Sequence, residues 1–359
     1  MKKLLVICTL TIFLAGCWDE VLYKEVTIVP LIGIEGEENK IHAYFSFPSV
    51  IDGQLEYSKE EGHGVSLRTA RNNAFLKSDE LLDVSQLETL LMSSESAKEG
   101  VVKYIDPIYR TPRNRLNGRT VIVMDELKTH FDNLEKLPEE PPDFYRGLLQ
   151  TAIKFANIPN YNMQKMMRIL KDEGQDLALP AIGYSDEEGI PEIIGTALFN
   201  DANYRGVYLT IEESKYFILL CNLANKKYLQ FSFLFEDDGE FYPLDIEYDG
   251  HKEKISIEDN TIIHHIQLKA AVEEFPHDHL KEKSVVEELN RFLSKVQTDE
   301  AQAVMKKMQD VKSDAVGYGK KIRAFYPEIW SRGKWSDTFS EMDIQIKIDV
   351  EIIRTGILG

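Results

Sequence analysis

An α+β fold, with sheets packed on helices, is predicted by three patterns. Near the C-terminus Ile344, Ile346, Ile348, Val350 and Ile352 alternate with Gln345, Lys347, Asp349 and Glu351, the period-two signature of a strand with one buried face. Before it, Val285, Val286, Leu289, Phe292, Leu293 and Val296 follow helical spacing in a stretch that continues to about residue 311. The first 135 residues alternate strand-like and helix-like runs, so strands and helices must share layers.

Each element can be justified in order. Runs 26–34 and 41–47 are β-rich, with Pro30 interrupting the first, and the acidic Glu35-Gly36-Glu37-Glu38-Asn39 between them suggests a hairpin. Ser66 can cap a helix carrying Leu67, Ala70, Ala74 and Phe75. Residues 87–92 read as a strand. Ser94 then caps a helix with Ala97, Val101 and Ile105, which Pro107 should end, and 121–124 is another buried strand. The proline-rich, acidic stretch 137–142 reads as a stiff connector. It closes a first α/β domain over 17–135. A small, mostly helical domain is expected over 143–190. Phe144, Leu148, Ala152 and Phe155 share one of its helical faces, Met163, Met166, Met167 and Leu170 suggest a second helix, and 178–182 a closing strand or edge.

From 191 to 359 the pattern is antiparallel β followed by helix. Apolar runs at 193–199, 206–211, 216–221 and 228–235 read as strands, and in the last of them Leu229, Phe231, Phe233 and Phe235 alternate with Gln230 and Ser232. Asp237-Asp238-Gly239 and Asp249-Gly250 read as turns.

The N-terminus changes what the rest can be for. Lys2 and Lys3 precede an apolar run over 4–14 and then Ala15, Gly16 and Cys17, the layout of a secretory signal peptide over 1–16. The run is shorter than the roughly 20 residues of a spanning helix. Leu14-Ala15-Gly16-Cys17 looks like a bacterial lipobox, in which the bond between Gly16 and Cys17 is cut and Cys17 carries diacylglycerol; the alternative is an ordinary signal with a chance cysteine. At about 0.8 kcal/mol per buried methylene, two acyl chains give on the order of 20 kcal/mol of attachment.

Charge excludes nucleic acid as a partner. There are 42 basic and 60 acidic residues, net −18, and loss of Lys2 and Lys3 makes it −20. Such a surface repels phosphates. It should also be repelled by anionic headgroups, and no polybasic patch is seen, so the folded part is expected to stand off the bilayer. Of three cysteines, Cys8 leaves with the signal and Cys17 takes lipid. Cys221 remains, an inert thiol in an apolar run, so the mature chain can form no internal disulfide.

Motifs for catalysis, cofactor binding or metal binding are missing: no Gly-x-Ser-x-Gly, Walker loop, Gly-x-Gly-x-x-Gly or His-Glu-x-x-His occurs. Gly62-His63-Gly64 reads as a loop feeding a helix. The histidine clusters are His264-His265 and His277-Asp278-His279; His277 and His279 would share a side on a strand and could hold zinc with a third ligand, but Pro276 and the acidic surroundings favour a solvated loop. Carboxylate clusters such as Glu60-Glu61, Asp186-Glu187-Glu188 and Glu273-Glu274 read as solvated surface. Trp330 and Trp335 bracket Arg332-Gly333-Lys334, a basic, aromatic segment that is either a partner-contact edge or a corner packed by two indoles.

Taken together, these motifs resemble the C-subunit lipoproteins of bacterial spore nutrient germinant receptors, the Ger(x)C family, over nearly the whole chain. The similar segments are Cys17-Trp18-Asp19-Glu20, Ile32-Gly33-Ile34, Ser66-Leu67-Arg68-Thr69-Ala70 with Leu76-Lys77-Ser78, and Arg113-Asn114-Arg115-Leu116. Further along come Gly195-Thr196-Ala197-Leu198-Phe199-Asn200 with Arg205-Gly206, Asp314-Ala315-Val316-Gly317-Tyr318-Gly319, Pro327-Glu328-Ile329-Trp330, and Ile352-Ile353-Arg354-Thr355-Gly356. Pro30 and the Gly317-Tyr318-Gly319 triplet depart slightly from the family pattern. The resemblance implies three compact domains, each a β-sheet with flanking helices. It also implies a non-enzymatic subunit with no cofactor, anchored through Cys17 on the outer face of the inner spore membrane. Its partners would be two integral-membrane subunits, A and B, and contact with the germinant itself is left open. Two other classes compete: a solute-binding lipoprotein of a transporter, which needs two similar lobes around a cleft, and a lipid-anchored hydrolase, which needs a nucleophile or metal motif.

Overall fold

A computed structural model describes residues 26–51, 53–77, 81–185, 187–223, 228–277 and 279–355. The signal peptide, Gly16 and Cys17 lie outside them.

The chain forms the α+β fold expected, with several sheets. The first strands are β1 (Val26–Ile28), β2 (Leu31–Glu37), β3 (Lys40–Ile51) and β4 (Gln54–Gly64), followed by helix α1 (Leu67–Phe75). Next come β5 (Leu81–Asp83), β6 (Thr89–Ser93), α2 (Ser94–Glu99), α3 (Val102–Arg110), β7 (Arg119–Val123), α4 (Leu127–Asp132), α5 (Pro141–Lys154) and α6 (Met163–Leu170). Then follow β8 (Ala178–Tyr184), β9 (Pro191–Asn200) and β10 (Asn203–Leu209). Eight of these strands make one sheet in the order β10-β9-β8-β7-β6-β2-β3-β4, while β1 and β5 pair by themselves. The centre, β2-β6-β7-β8, is parallel and the flanks are antiparallel. Parallel strands need both faces covered. Ile32, Leu90 and Ile122 accordingly join a core that includes residues of α1, α2, α3 and α6, while Leu31, Leu91 and Val121 pack with residues of α4 and α5.

The second half adds α7 (Ile211–Leu220), β11 (Gln230–Asp237), β12 (Glu240–Glu258), β13 (Thr261–Glu274), α8 (Lys283–Asp310), α9 (Tyr318–Phe325), α10 (Pro327–Trp330), α11 (Trp335–Glu341) and β14 (Ile344–Arg354). Strands β11 to β14 form a four-stranded sheet in chain order, with β13 and β14 parallel. Strand β14 is an edge, a liability unless covered. Helix α8 covers it: Asn290, Ser294, Thr298 and Gln302 accept hydrogen bonds from the backbone N–H of Ile352, Val350, Ile348 and Ile346 at 2.8–2.9 Å. Four helical residues rise about 6.0 Å and two strand residues about 6.7 Å, so the two rows stay in step over four rungs. Among the described residues no helix is long and apolar enough to cross a membrane.

Several sequence expectations change. Residues 143–190 are not set apart, because β8 lies inside the large sheet between β7 and β9 and joins this stretch to both neighbours. The sheet continues through β10, past the boundary expected at 191. The run 216–221 belongs to helix α7 rather than a strand. Thr210 accepts from the Glu213 N–H while Glu213 accepts from the Thr210 N–H, a capping box, and Tyr216 to Leu220 are buried all round, which erases the period of 3.6. Asp249-Gly250 is not a turn but a bulge within β12, with Gly250 at φ +150°; the reversal occurs at Asp259-Asn260. Ser93, not Ser94, caps α2, and Gly100 at φ +114° breaks the helix, leaving Pro107 inside α3. The connector's Pro141 and Pro142 open α5, where a missing N–H costs nothing, and Tyr145, Leu149 and Ala152 are its buried face.

Candidate functional site

The two halves are bolted together at a buried carboxylate pair. After α8 the chain turns through Lys312, at φ +59°, and Gly317, at φ +87°, into the N-terminus of α9. Asp314 is fully buried inside this turn. One of its oxygens accepts from the N–H of Gly317 (2.8 Å) and Tyr318 (3.0 Å), the other from Gly319 N–H (2.7 Å) and Trp335 Nε1 (2.8 Å). A carboxylate here satisfies the orphan amides of the helix start and sits at the positive end of its dipole. A Cβ on Gly319 would lie 2.5 Å from Trp335 Nε1, so only glycine lets the indole reach Asp314.

The partner is Asp176, just before β8. Its two oxygens accept from the N–H groups of Asp314 and Asp201, both at 2.7 Å, and its own N–H donates to the Asp314 carbonyl (2.9 Å). Gln175 Nε2 donates to Ala315 O (2.8 Å), Lys320 N to Gly174 O (3.1 Å) and Asn200 Nδ2 to Lys312 O (2.6 Å). Behind the turn, Tyr318 OH lies 2.8 Å from Nδ1 of the buried His264, whose Nε2 is 3.4 Å from Glu253. The His264 ring beside it holds the Glu253 carboxyl below the usual range, against its burial. The Cys221 Sγ faces Ala315 O at 3.8 Å, and burial pushes its thiol up, which makes it unreactive.

Burial pushes the Asp176 carboxyl up to about 7, with the Asp314 charge adding to the rise and the two backbone N–H bonds opposing it. A folded value above the unfolded one means the native state holds the extra proton between about pH 4 and 7, so this group's contribution to stability falls as pH rises through that window. Asp176→Asn removes the titration. The stability of Asp176→Asn relative to the native chain is therefore expected to improve from pH 4 to pH 8, by on the order of 4 kcal/mol. Urea titrations of both proteins across that range check this, and a flat difference would refute it.

The basic, aromatic corner lies on the outside of this joint. Trp330 and Trp335 stack with centroids 5.7 Å apart, and Arg323 lies over the Trp330 ring. Trp335 is turned inward and 7% exposed, so of the four residues expected at a partner edge it serves packing. Trp330 is half-buried, while Arg332 bonds Asn260 and Lys334 pairs with Asp201, both exposed. Arg332 and Lys334 border a cleft of about 480 Å³ reaching to Asp259 and Asp343, and Trp330 and Lys334 a second of about 330 Å³ reaching to Asp176.

Other sequence candidates do not converge. His264 points into the core and His265 to Asp349; His277 bonds Asp237 (2.7 Å) in the turn after β13, and His279 pairs with Glu282. Among the described residues no group of three or more His, Cys, Asp or Glu is arranged to hold a metal. Glu61 is not simple solvated surface but pairs with His42 and Lys59. Gly62-His63-Gly64 is strand rather than loop, and a Cβ on Gly62 would meet the Ala70 carbonyl at 1.9 Å, so the glycines let α1 lie against β4. Asp176 carried no sequence signal of its own.

Comparison with known proteins divides the chain earlier, between β8 and β9 of the large sheet. The family described as "Spore germination protein N-terminal domain" matches residues 19–184, and "Spore germination B3/ GerAC like, C-terminal" matches 194–356. Spore germination protein KC of Bacillus subtilis (strain 168) is 23% identical over 96% of this chain and 93% of its own. The putative spore germination protein YfkR of the same organism is 23% identical over 52% of this chain and 51% of its own. The crystal structure of the GerBC protein superposes with a TM-score of 0.57 over 90% of this chain and 97% of that one, at 16% identity, which shows a shared fold. With the N-terminal and C-terminal family domains matched in order over 19–184 and 194–356, the chain belongs to the Ger(x)C family of spore germination proteins.

Proposed function

We propose that this chain is the lipid-anchored, non-enzymatic C subunit of a spore nutrient germinant receptor, needed for receptor assembly and nutrient-triggered germination. One observation carries the reading: a lipobox ending at Cys17 is followed two residues later by the start of the family match. Diacylglycerol on Cys17 holds the protein on the outer face of the inner spore membrane, beside integral-membrane A and B subunits. Tethering confines it to the plane of these partners and raises their effective concentration, so individually weak contacts suffice. Trp330, Arg332 and Lys334, on the exposed side of the joint, are the surface we assign to partner contact.

The test is a pull-down from dormant-spore membranes comparing the native chain with Cys17→Ala. Lipid-dependent recovery of two multi-spanning partners, together with loss of nutrient germination in the variant, is the expected result. Recovery of a transporter permease would instead favour a solute-binding lipoprotein, and recovery of no membrane protein would overturn the receptor reading.

A further inference from the structure

Three features collect at the end of the large sheet where β2, β6 and β7 begin. The first is the start of the described chain. Strand β1 pairs with β5 as an extension of the β2–β6 pair, which places Val26 at this end. Cys17 lies nine residues upstream, a length that spans at most about 30 Å. The second is the β3–β4 hairpin. Leu31 at the start of β2 pairs with Ser46, and β3 runs on to Ile51, so the hairpin extends about 17 Å beyond the start of β2, with β1 alongside it. Val50 and Leu55 pair across it on one face and are 73% and 60% exposed. Glu56 is on the opposite face, paired with Ser49.

The third feature is a concentration of arginine in a chain of net charge −18. Burial and the nearby Arg68 and Arg113 push the Arg71 guanidinium down, with Asp83 opposing. Arg115, Arg119 and Arg146 line an adjoining cleft of about 170 Å³. Asp83 answers Arg113, and Glu88 and Asp143 answer Arg146, but the Nε atoms of Arg71 and Arg119 are buried without a hydrogen-bond partner.

We propose that this end of the sheet rests on an anionic bilayer, with the arginines on lipid phosphates and Val50 and Leu55 among the acyl chains just below the headgroups. The inference rests on the lipoprotein reading for its tether. Guanidinium forks match phosphate oxygens, and basic groups held at an anionic leaflet gain attraction that falls off within a Debye length. Arg113 and Arg146 offset the carboxylates of Asp83, Glu88 and Asp143 at this end, and the body lies end-on against the bilayer instead of standing off it, as composition alone suggests.

The test uses residues 17–359 with Cys17→Ser and Cys221→Ala, tethered by an N-terminal hexahistidine extension to vesicles containing a nickel-chelating lipid. Attachment is then independent of acylation in a cell. An environment-sensitive fluorophore is placed at Leu55→Cys or, on the other sheet, at Leu234→Cys. On phosphatidylcholine vesicles containing phosphatidylglycerol, the label at 55 should brighten and shift to the blue while the label at 234 does not. Arg68→Glu, Arg113→Glu and Arg115→Glu together should reduce the membrane-contacting fraction at least about tenfold. Arg115→Glu alone, at an exposed side chain, gives a smaller loss in the same direction if the triple variant folds poorly. The proposal is overturned if both labels respond alike, if pure phosphatidylcholine works as well, or if charge reversal changes nothing. A response that needs reconstituted integral subunits overturns it in favour of a protein contact. Failure of the Cys17→Ala pull-down beside a positive fluorescence result would remove the anchor and leave the bilayer contact standing.

Discussion

Asp314→Ala is expected to destabilise the folded chain by on the order of 5 kcal/mol, which is comparable to the whole stability of many domains. The substitution leaves three backbone N–H groups and the Trp335 indole N–H buried without an acceptor, at about 1–3 kcal/mol each before water or local shifts recover part of it. The loss should concentrate between the two halves. The same turn holds Asp176 through the Asp314 N–H, and Lys312 O receives the Asn200 side chain. Asp314→Asn keeps the shape but turns one acceptor into an NH₂ facing two donors, so its cost should be roughly half. Urea unfolding of the mature chain gives the magnitudes, and limited proteolysis across 310–320 tests where the structure opens. An alanine variant that melts with the native protein would show that the carboxylate is not the keystone.

Gly195→Ala is expected to cost about 3–5 kcal/mol or to prevent soluble expression. Gly195 sits at φ +147°, and a Cβ there would lie 1.8 Å from the Leu209 carbonyl oxygen and 2.9 Å from its carbon. Both obstacles are backbone of the paired strand β10, so relief requires moving the sheet rather than one side chain. The register shift between Ala181 and Ile182, beside the Ala181–Gly195 pair, shows why the backbone needs this conformation: the strand kinks there against β8. Gly189→Ala is the control. At φ +66° with no atom within 4 Å of a Cβ, it should lose only about 1 kcal/mol. Equal melting temperatures for the two variants would sink the steric argument.

How much was legible depended on whether the information was local. The Ser66 cap, the Glu38-Asn39 reversal, the Asp238-Gly239 turn and the alternation of β14 were all readable, because each is set by neighbours within a few residues. Helix α7 was misread although its capping box was in plain view at Thr210 and Glu213, because a helix buried on every side shows no hydrophobic period. The stripe Asn290, Ser294, Thr298 and Gln302 was equally visible as an i, i+4 row of amide and hydroxyl side chains, yet nothing local says that it faces a strand edge some 50 residues away. At the candidate site the Asp314–Gly319 turn was legible as a family signature. Its purpose was not, since Asp176 is 138 residues distant.

The sequence by itself determined the class of fold, the family, most helix and strand positions, and the cysteine and charge limits on chemistry, because these follow from periodicity, capping and composition. Tertiary structure alone decided the order of the large sheet, the merging of 143–190 into it, the inward turn of Trp335 and the gathering of arginines at one end. Those depend on which distant segments exclude water together. Pairing energies of that kind become visible only once both partners occupy one place.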